Sequence, residues 1–81
     1  MERIRRLYAL WGWLPAFRVV AETEHLPTAS EQLGITPQAL SRSIKLLEEQ
    51  LGKALFRKAG RGIKLTEDGR ALLGSVRDAM R

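Results

Sequence analysis

Hydrophobic positions recur at helical spacing through most of this chain, and one stretch of the pattern has clearly marked ends. Thr36 precedes this stretch as a candidate N-cap, and Pro37 suits the first helical position because its missing N–H would be unpaired there. Gly52 follows as a candidate C-cap. The spacing therefore predicts an amphipathic helix bounded by Thr36 and Gly52, with an apolar face made of Leu40, Ile44, Leu47 and Leu51.

Two shorter helical patterns precede this helix. Pro15 is predicted to begin one that ends near residues 22–24, and Pro27 to begin another that ends at Leu33, just before Gly34. A helix that stops at Gly34 and a second one that starts at Pro37 predict a helix-turn-helix, the unit that places its second helix in the DNA major groove. The inward-facing residues of the first two helices are expected to be Leu14, Phe17, Val20, Ala21, Leu26, Ala29 and Leu33.

The segment after Gly52 has the pattern of a β-hairpin followed by a helix. Residues 54–57 and 62–65 are predicted to form two short strands joined by a tight turn at residues 58–61. Thr66 is expected to cap the last helix. The predicted fold is mainly α, a winged helix-turn-helix with a two-stranded β-hairpin wing and a long C-terminal linker helix.

The apolar stripe of the last helix continues beyond what a core of this size should need. A homodimer formed through this helix is the economical explanation. The residues assigned to dimerisation are Leu72, Leu73, Val76 and Met80.

Residues 1–13 combine three arginines with aromatic and aliphatic side chains. They could form a basic amphipathic helix on a membrane surface or partner, or a first helix whose aromatics close the core or a dimer seam. The second interpretation is favoured because Gly12 and Pro15 interrupt any longer surface helix. This divides the chain into an N-terminal helical extension at 1–13, a domain at 14–65 and a linker or dimerisation helix at 66–81.

The outer face of the 36–52 helix is chemically uneven. Its first half carries an amide, a hydroxyl and two cations, whereas its second half carries Glu48, Glu49 and Gln50, an order that opposes the helix dipole. A helix that enters the major groove by its N-terminal end needs this order, because Arg pairs with guanine, Gln pairs with adenine and carboxylates must avoid phosphates. A solvated face with a Lys45–Glu49 pair is equally compatible with the helix alone. The polar residues concerned are Gln38, Ser41, Arg42 and Lys45.

Composition and charge narrow the partner. The 81 residues suffice for one small domain, which can bury only roughly 60% of its unfolded surface. The formal net charge of +5 favours a polyanionic partner. Cysteine is absent, which excludes disulfides and thiolate metal sites and suits a reducing cytoplasm. No apolar run approaches the roughly 20 residues that span a bilayer, so no membrane partner is expected.

The predicted hairpin is strongly basic. Between residues 53 and 65 there is no acid, and the bases are Lys53, Arg57, Lys58, Arg61 and Lys64. Such a hairpin is suited to clamp DNA phosphates, although basic side chains can also serve only to discourage sheet aggregation. Its position directly behind the polar helix face favours the clamp.

The sequence offers no support for catalysis. His25 is the only histidine, and with no cysteine or second histidine near it we expect a turn residue and no metal site. No nucleophile and base pair and no glycine-rich phosphate loop are present, so neither enzymatic activity nor a cofactor is expected.

Three segments resemble the N-terminal DNA-binding domain of the LysR-type transcriptional regulators, over roughly residues 14–73. They are LPAFRVVAE, ASEQLGITPQALSRSIKLLEEQLG and, most specifically, LGKALFRKAGRGIKLTEDGRALL with its spacing of LF, basic turn, LT and G. The resemblance implies a sequence-specific DNA-binding transcription regulator that binds double-stranded, dyad-symmetric operator DNA as a homodimer through its last helix. It also implies that a small-molecule effector acts through a separate C-terminal domain outside this chain, and a cytoplasmic, nucleoid-associated location.

The resemblance also implies individual contacts. It places the recognition-helix contacts on Thr36, Pro37, Gln38, Ser41 and Arg42, to which the polar face adds Lys45, and the wing contacts on Lys58, Arg61 and Gly62. Three departures stand out: Thr36-Pro37-Gln38 replaces the common Ser-Gln-Pro, Lys58 replaces the usual wing arginine, and Pro27 replaces a small hydroxyl residue. The alternative function is a winged-helix interaction or dimerisation module without specific DNA binding, but retention of Gln38, Ser41, Arg42 and the basic wing speaks against it.

Overall fold

The computed structural model describes the backbone of residues 2–79 and the side chains of residues 13–79. It confirms the predicted mainly α architecture with a two-stranded antiparallel wing. In chain order the elements are α1 (Glu2–Thr23), α2 (Leu26–Leu33), α3 (Pro37–Leu51), β1 (Phe56–Ala59), β2 (Gly62–Leu65) and α4 (Glu67–Ala79).

Helix α1 runs without a break through Pro15, so the predicted helix start at Pro15 is wrong. Proline removes only one helical N–H, and Pro15 is exposed, so its ring takes no space in the core. Phe17 and Val20 follow it and are fully buried, which holds the helix against its neighbours. Trp13 is half-buried against the core as expected, whereas the other aromatic residues of the 1–13 segment lie outside the described side chains.

Helix α1 is the central element of the core because it packs against α2, α3 and α4. The ring of Phe17 lies 5.6 Å from that of Phe56 in the wing, measured between centroids, so the hairpin joins the same core. The largest fully buried side chains are Phe17, Leu40, Leu47, Leu55 and Val20.

Helix α3 has the predicted ends. The Thr36 hydroxyl oxygen accepts a hydrogen bond from the backbone N–H of Ala39 at 3.1 Å, which satisfies one of the free N–H groups of the first turn. Of the predicted apolar stripe, Leu40, Ile44 and Leu47 are buried, whereas Leu51 has 38% of its surface exposed. The Ile35 N–H donates to the Ser30 carbonyl at 3.1 Å and closes the turn that joins α2 to α3.

The wing differs from the prediction at its first strand. Strand β2 has the expected bounds, but β1 lies two residues later than predicted, so Lys58 lies on the strand, paired with Ile63, and only Gly60 and Arg61 form the turn. The cause lies at Leu55, whose N–H donates to the Glu48 carboxylate at 2.7 Å and whose carbonyl accepts from the Thr66 N–H at 3.0 Å. Leu55 is therefore bonded outside the hairpin.

Helix α4 packs its apolar stripe into the protein's own core. Leu73 and Val76 are 7% and 3% exposed, so little of either side chain is left for a second chain to cover, and their predicted role in a dimer stays a prediction. Helical periodicity is the same whether a stripe faces the core of its own chain or a second chain, and here α1 covers it. Leu72 is half-buried, and Met80 lies outside the described residues.

Two carboxylates near the end of α1 tie it to later elements. Glu24 accepts a hydrogen bond from the Leu65 N–H of β2 at 3.1 Å. Glu22 accepts two hydrogen bonds from the Arg77 guanidinium of α4, at 2.9 and 3.1 Å, and lies 3.4 Å from Arg18. Glu22, in the last turn of α1, thus contacts the final helix, and Glu24, just after that helix, contacts the wing.

Candidate nucleic-acid interface

The N-terminal half of α3 carries a shallow, open groove on the surface of the domain. Leu40 and Ile44 point into the core, and this orientation turns the polar positions of the helix outward. All the lining residues are exposed except Ser41, which is half-buried. Five of the six predicted recognition-helix residues line this groove, namely Pro37, Gln38, Ser41, Arg42 and Lys45.

Thr36, the sixth predicted contact, lies at the N-terminus of the same helix. Its hydroxyl oxygen is occupied as the acceptor of the Ala39 N–H, while its hydroxyl hydrogen can still be donated outward. The structure therefore gives Thr36 a definite positioning role, because the cap fixes where α3 begins.

The cations of this surface are not neutralised within the described side chains. Among residues 13–79 the ion pairs are Arg18–Glu22, Lys53–Asp68 and Arg77–Glu22. The alternative Lys45–Glu49 pair is absent from that range. Glu48, expected on the outer face, instead accepts from the N–H groups of Leu55 and Phe56 at 2.7 and 3.2 Å.

A second groove lies between the wing and the start of α2. It brings together the three predicted wing residues Lys58, Arg61 and Gly62, and faces them towards His25 and Pro27. Gly60 occupies the first central position of the turn with a φ of 61°, the positive value that a type II′ hairpin requires there. The turn thereby aims Arg61 into solvent at the end of the wing.

Helix α2 connects the two grooves. Its N-terminus borders the wing groove, and its C-terminus leads through residues 34–36 into α3. Its eight residues correspond to a length of about 12 Å.

Sequence reasoning missed the residues that hold this geometry. His25 is the N-cap of α2, since its Nδ1 accepts from the Thr28 N–H at 3.3 Å and lies 2.7 Å from the Thr28 hydroxyl. Pro27 was the available signal, because proline favours the first turn and the cap precedes it. Glu24 and Glu48 gave no comparable signal, since their partners lie 41 and 7–8 residues away.

Two features of the described residues concern metal binding and membranes. No group of three His, Asp or Glu side chains within the described residues could hold a metal ion. Over the same part of the chain, the helices are too short or too polar to cross a membrane.

Comparison with known proteins gives consistent matches. Residues 11–70 match the family described as bacterial regulatory helix-turn-helix protein, lysR family. The HTH-type transcriptional regulator TrpI of Pseudomonas aeruginosa is 46% identical over 66 residues, which cover 82% of this chain and 22% of that protein. The chain spans between 22% and 42% of the length of the five curated relatives compared first.

Solved structures share the fold at similar levels. The DNA-binding domain of BenM in complex with benA site 1 DNA has a TM-score of 0.79 and 31% identity, covering 84% of this chain and 79% of that one. Vibrio fischeri DarR in complex with DNA has a TM-score of 0.77 and 32% identity, covering 84% of this chain and 23% of that one.

Proposed function

Because this chain belongs to the lysR family of bacterial regulatory helix-turn-helix proteins, we propose that it is the sequence-specific DNA-binding part of a transcription regulator. The observation that carries this proposal is the uncovered groove on α3, in which polar and cationic side chains converge without a carboxylate. The BenM and DarR structures, which were solved with DNA, support placing double-stranded DNA on this surface.

The groove residues provide suitable chemistry for reading bases. The Arg42 guanidinium can pair bidentately with guanine, the Gln38 amide with adenine, and Ser41 with either. Pro37 can pack against a thymine methyl group, while Thr36 and Lys45 can donate to bases or phosphates at the two ends of the groove.

The wing residues provide contacts that do not depend on sequence. Lys58 and Arg61 can each neutralise a phosphate, and Gly62 allows the backbone to approach the DNA closely. Since a lysine lacks the planar fork of an arginine, Lys58 should act as a point charge and contribute little to base selection.

The assembly and setting are also proposals. We place residues 14–65 on the DNA and assign residues 66–81 to a homodimer whose contact includes Leu72 and Met80, so that the operator is dyad-symmetric. The relatives are several times longer, and a small-molecule effector is assigned to sequence outside these residues. The working location is the cytoplasm, at the nucleoid.

Arg42→Ala tests the proposal directly. Binding sites are first selected from a random double-stranded DNA pool, and affinities for matched and single-base-variant sites are then measured by fluorescence anisotropy at constant salt. The variant should weaken binding to the matched site by ~1–3 kcal/mol and relax base preference at one position per half-site. Arg70→Gln removes the same charge from an exposed position on α4 and serves as the control.

Two outcomes would count against the proposal. An equal loss on every DNA sequence would assign Arg42 to a phosphate contact only. If the unmodified chain binds selected and random DNA equally, specific recognition is wrong and the interaction-module alternative is favoured.

A further inference from the structure

The wing has two faces with different side chains. The antiparallel register pairs Arg57 with Lys64 and Lys58 with Ile63. Because successive strand residues point to opposite faces, Arg57 and Lys64 share one face, called here the outer face of the wing. The opposite face carries Phe56, Ile63 and Leu65, which pack towards the core, and the exposed Lys58 next to the turn.

The outer face places two cations directly across the ladder from each other. Side chains in such a pair lie close together, and like charges there destabilise a hairpin. Both residues are exposed, and within residues 13–79 neither forms an ion pair with a carboxylate. The stability of the hairpin therefore does not explain why two cations lie opposite each other on the outer face.

Protection against edge-to-edge aggregation concerns the unpaired backbone edges of the two strands, and a charged side chain on each strand can provide it. It does not require two like charges to face each other across the ladder. An anionic partner on the outer face would remove the repulsion.

We propose that the outer face of the wing is a second phosphate-binding surface, which engages the DNA strand opposite to the one that Lys58 contacts. This inference rests on the proposed DNA binding. Arg57 and Lys58 are neighbours in one strand and point to opposite faces, so they cannot bind the same phosphate. The minor groove is about 6 Å wide, and a narrow hairpin lying over it presents one face to each of the two backbones.

The salt dependence of binding tests this proposal. Arg57→Thr and Lys64→Thr each remove one cation while keeping a residue that suits a strand. Each should make the plot of log affinity against log salt shallower by about 0.9 per subunit, and the double variant by about 1.8. The thermal midpoint should stay equal or rise, since the repulsion is relieved. Arg70→Gln should leave the slope unchanged.

Phosphate-ethylation interference identifies the strand. Compared with the unmodified chain, the double variant should lose sensitivity to ethylation on one strand, and Lys58→Ala should lose it on the other. A loss on the same strand for both variants, or an unchanged salt slope for the double variant, would overturn the proposal.

The same experiments separate this inference from the proposed function. If Lys58→Ala and Arg61→Ala flatten the salt slope and the double variant does not, DNA binding stands and only the outer-face contact is wrong. If the unmodified chain does not bind DNA at low salt, both proposals fail.

Discussion

Glu24 shows how a single residue joins distant parts of the domain. It has a φ of 50°, in the left-handed region where a side chain costs roughly 1–2 kcal/mol. Its carboxylate accepts the Leu65 N–H, a bond to a charged group that offsets this strain. The residue thereby fixes the position of β2, and with it the wing, relative to the end of α1.

Two substitutions of Glu24 should separate the hydrogen bond from the strain. Glu24→Ala removes the acceptor of a partly buried N–H and keeps the strained backbone, so the free energy of unfolding should fall by about 1–3 kcal/mol. Glu24→Gly removes the same acceptor and relieves the strain, so its cost should be about 1 kcal/mol smaller. Urea denaturation measures both, and equal losses would contradict the argument from strain.

At the residue scale, sequence predicted local bonds and missed distant ones. The Thr36 cap is correct because its donor is three residues away and the residue types at a helix start are characteristic. Helical periodicity predicts that Glu48 lies on the outer face of α3. It does not predict which groups the Glu48 carboxylate binds. The N–H groups that donate to Glu48 belong to Leu55 and Phe56, in an extended segment whose sequence has no helical periodicity.

At the element scale, α4 depends on a close approach at Gly69. A Cβ built at this position would overlap the Leu55 carbonyl oxygen and crowd the Leu65 side chain. Gly74 lies in the same helix, and within the described part of the chain no atom beyond its chain neighbours and the adjacent helix backbone comes within 4 Å of the corresponding Cβ. The two glycines therefore form a matched pair for a test.

Gly69→Ala should lower the free energy of unfolding by ~1–3 kcal/mol, since the helix or the Leu55 backbone must move. Gly74→Ala should raise it by ~0.5–1 kcal/mol, because alanine favours the helix and meets nothing. Thermal denaturation followed by circular dichroism compares them. A gain in stability for Gly69→Ala would show that α4 does not pack against Leu55 as described.

The elements themselves were predicted where their ends are determined locally. Both ends of α3 are correct because Pro37 and Gly52 mark them. The local penalty of proline predicts a helix start at Pro15, but burial of Phe17 and Val20 outweighs that penalty and α1 continues through Pro15. Strand β1 was shifted because the bonds of Leu55 to Glu48 and Thr66 cannot be predicted from alternation.

At the scale of the whole molecule, the proposed homodimer can now be tested with a structural control. Leu72→Lys alters a half-buried side chain and should give a smaller species in sedimentation velocity with an unchanged helical signal. Val76→Lys places a charge in the core, so it should lower stability by ~4 kcal/mol or more and reduce the helical signal. If the unmodified chain sediments as a monomer at high concentration, the dimer claim fails for this chain.

The docking of α4 onto the body of the domain limits the operators that a dimer could tolerate. Leu73 and Val76 anchor this helix to the same core that supports α3. The direction in which α4 leaves the domain is therefore fixed relative to α3. One extra base pair between two half-sites turns the second by about 35° around the DNA axis. Because α4 is fixed as far as Val76, such a rotation requires twisting of the DNA or a conformational change in the chain after Val76. We therefore expect affinity to depend sharply on the number of base pairs between half-sites.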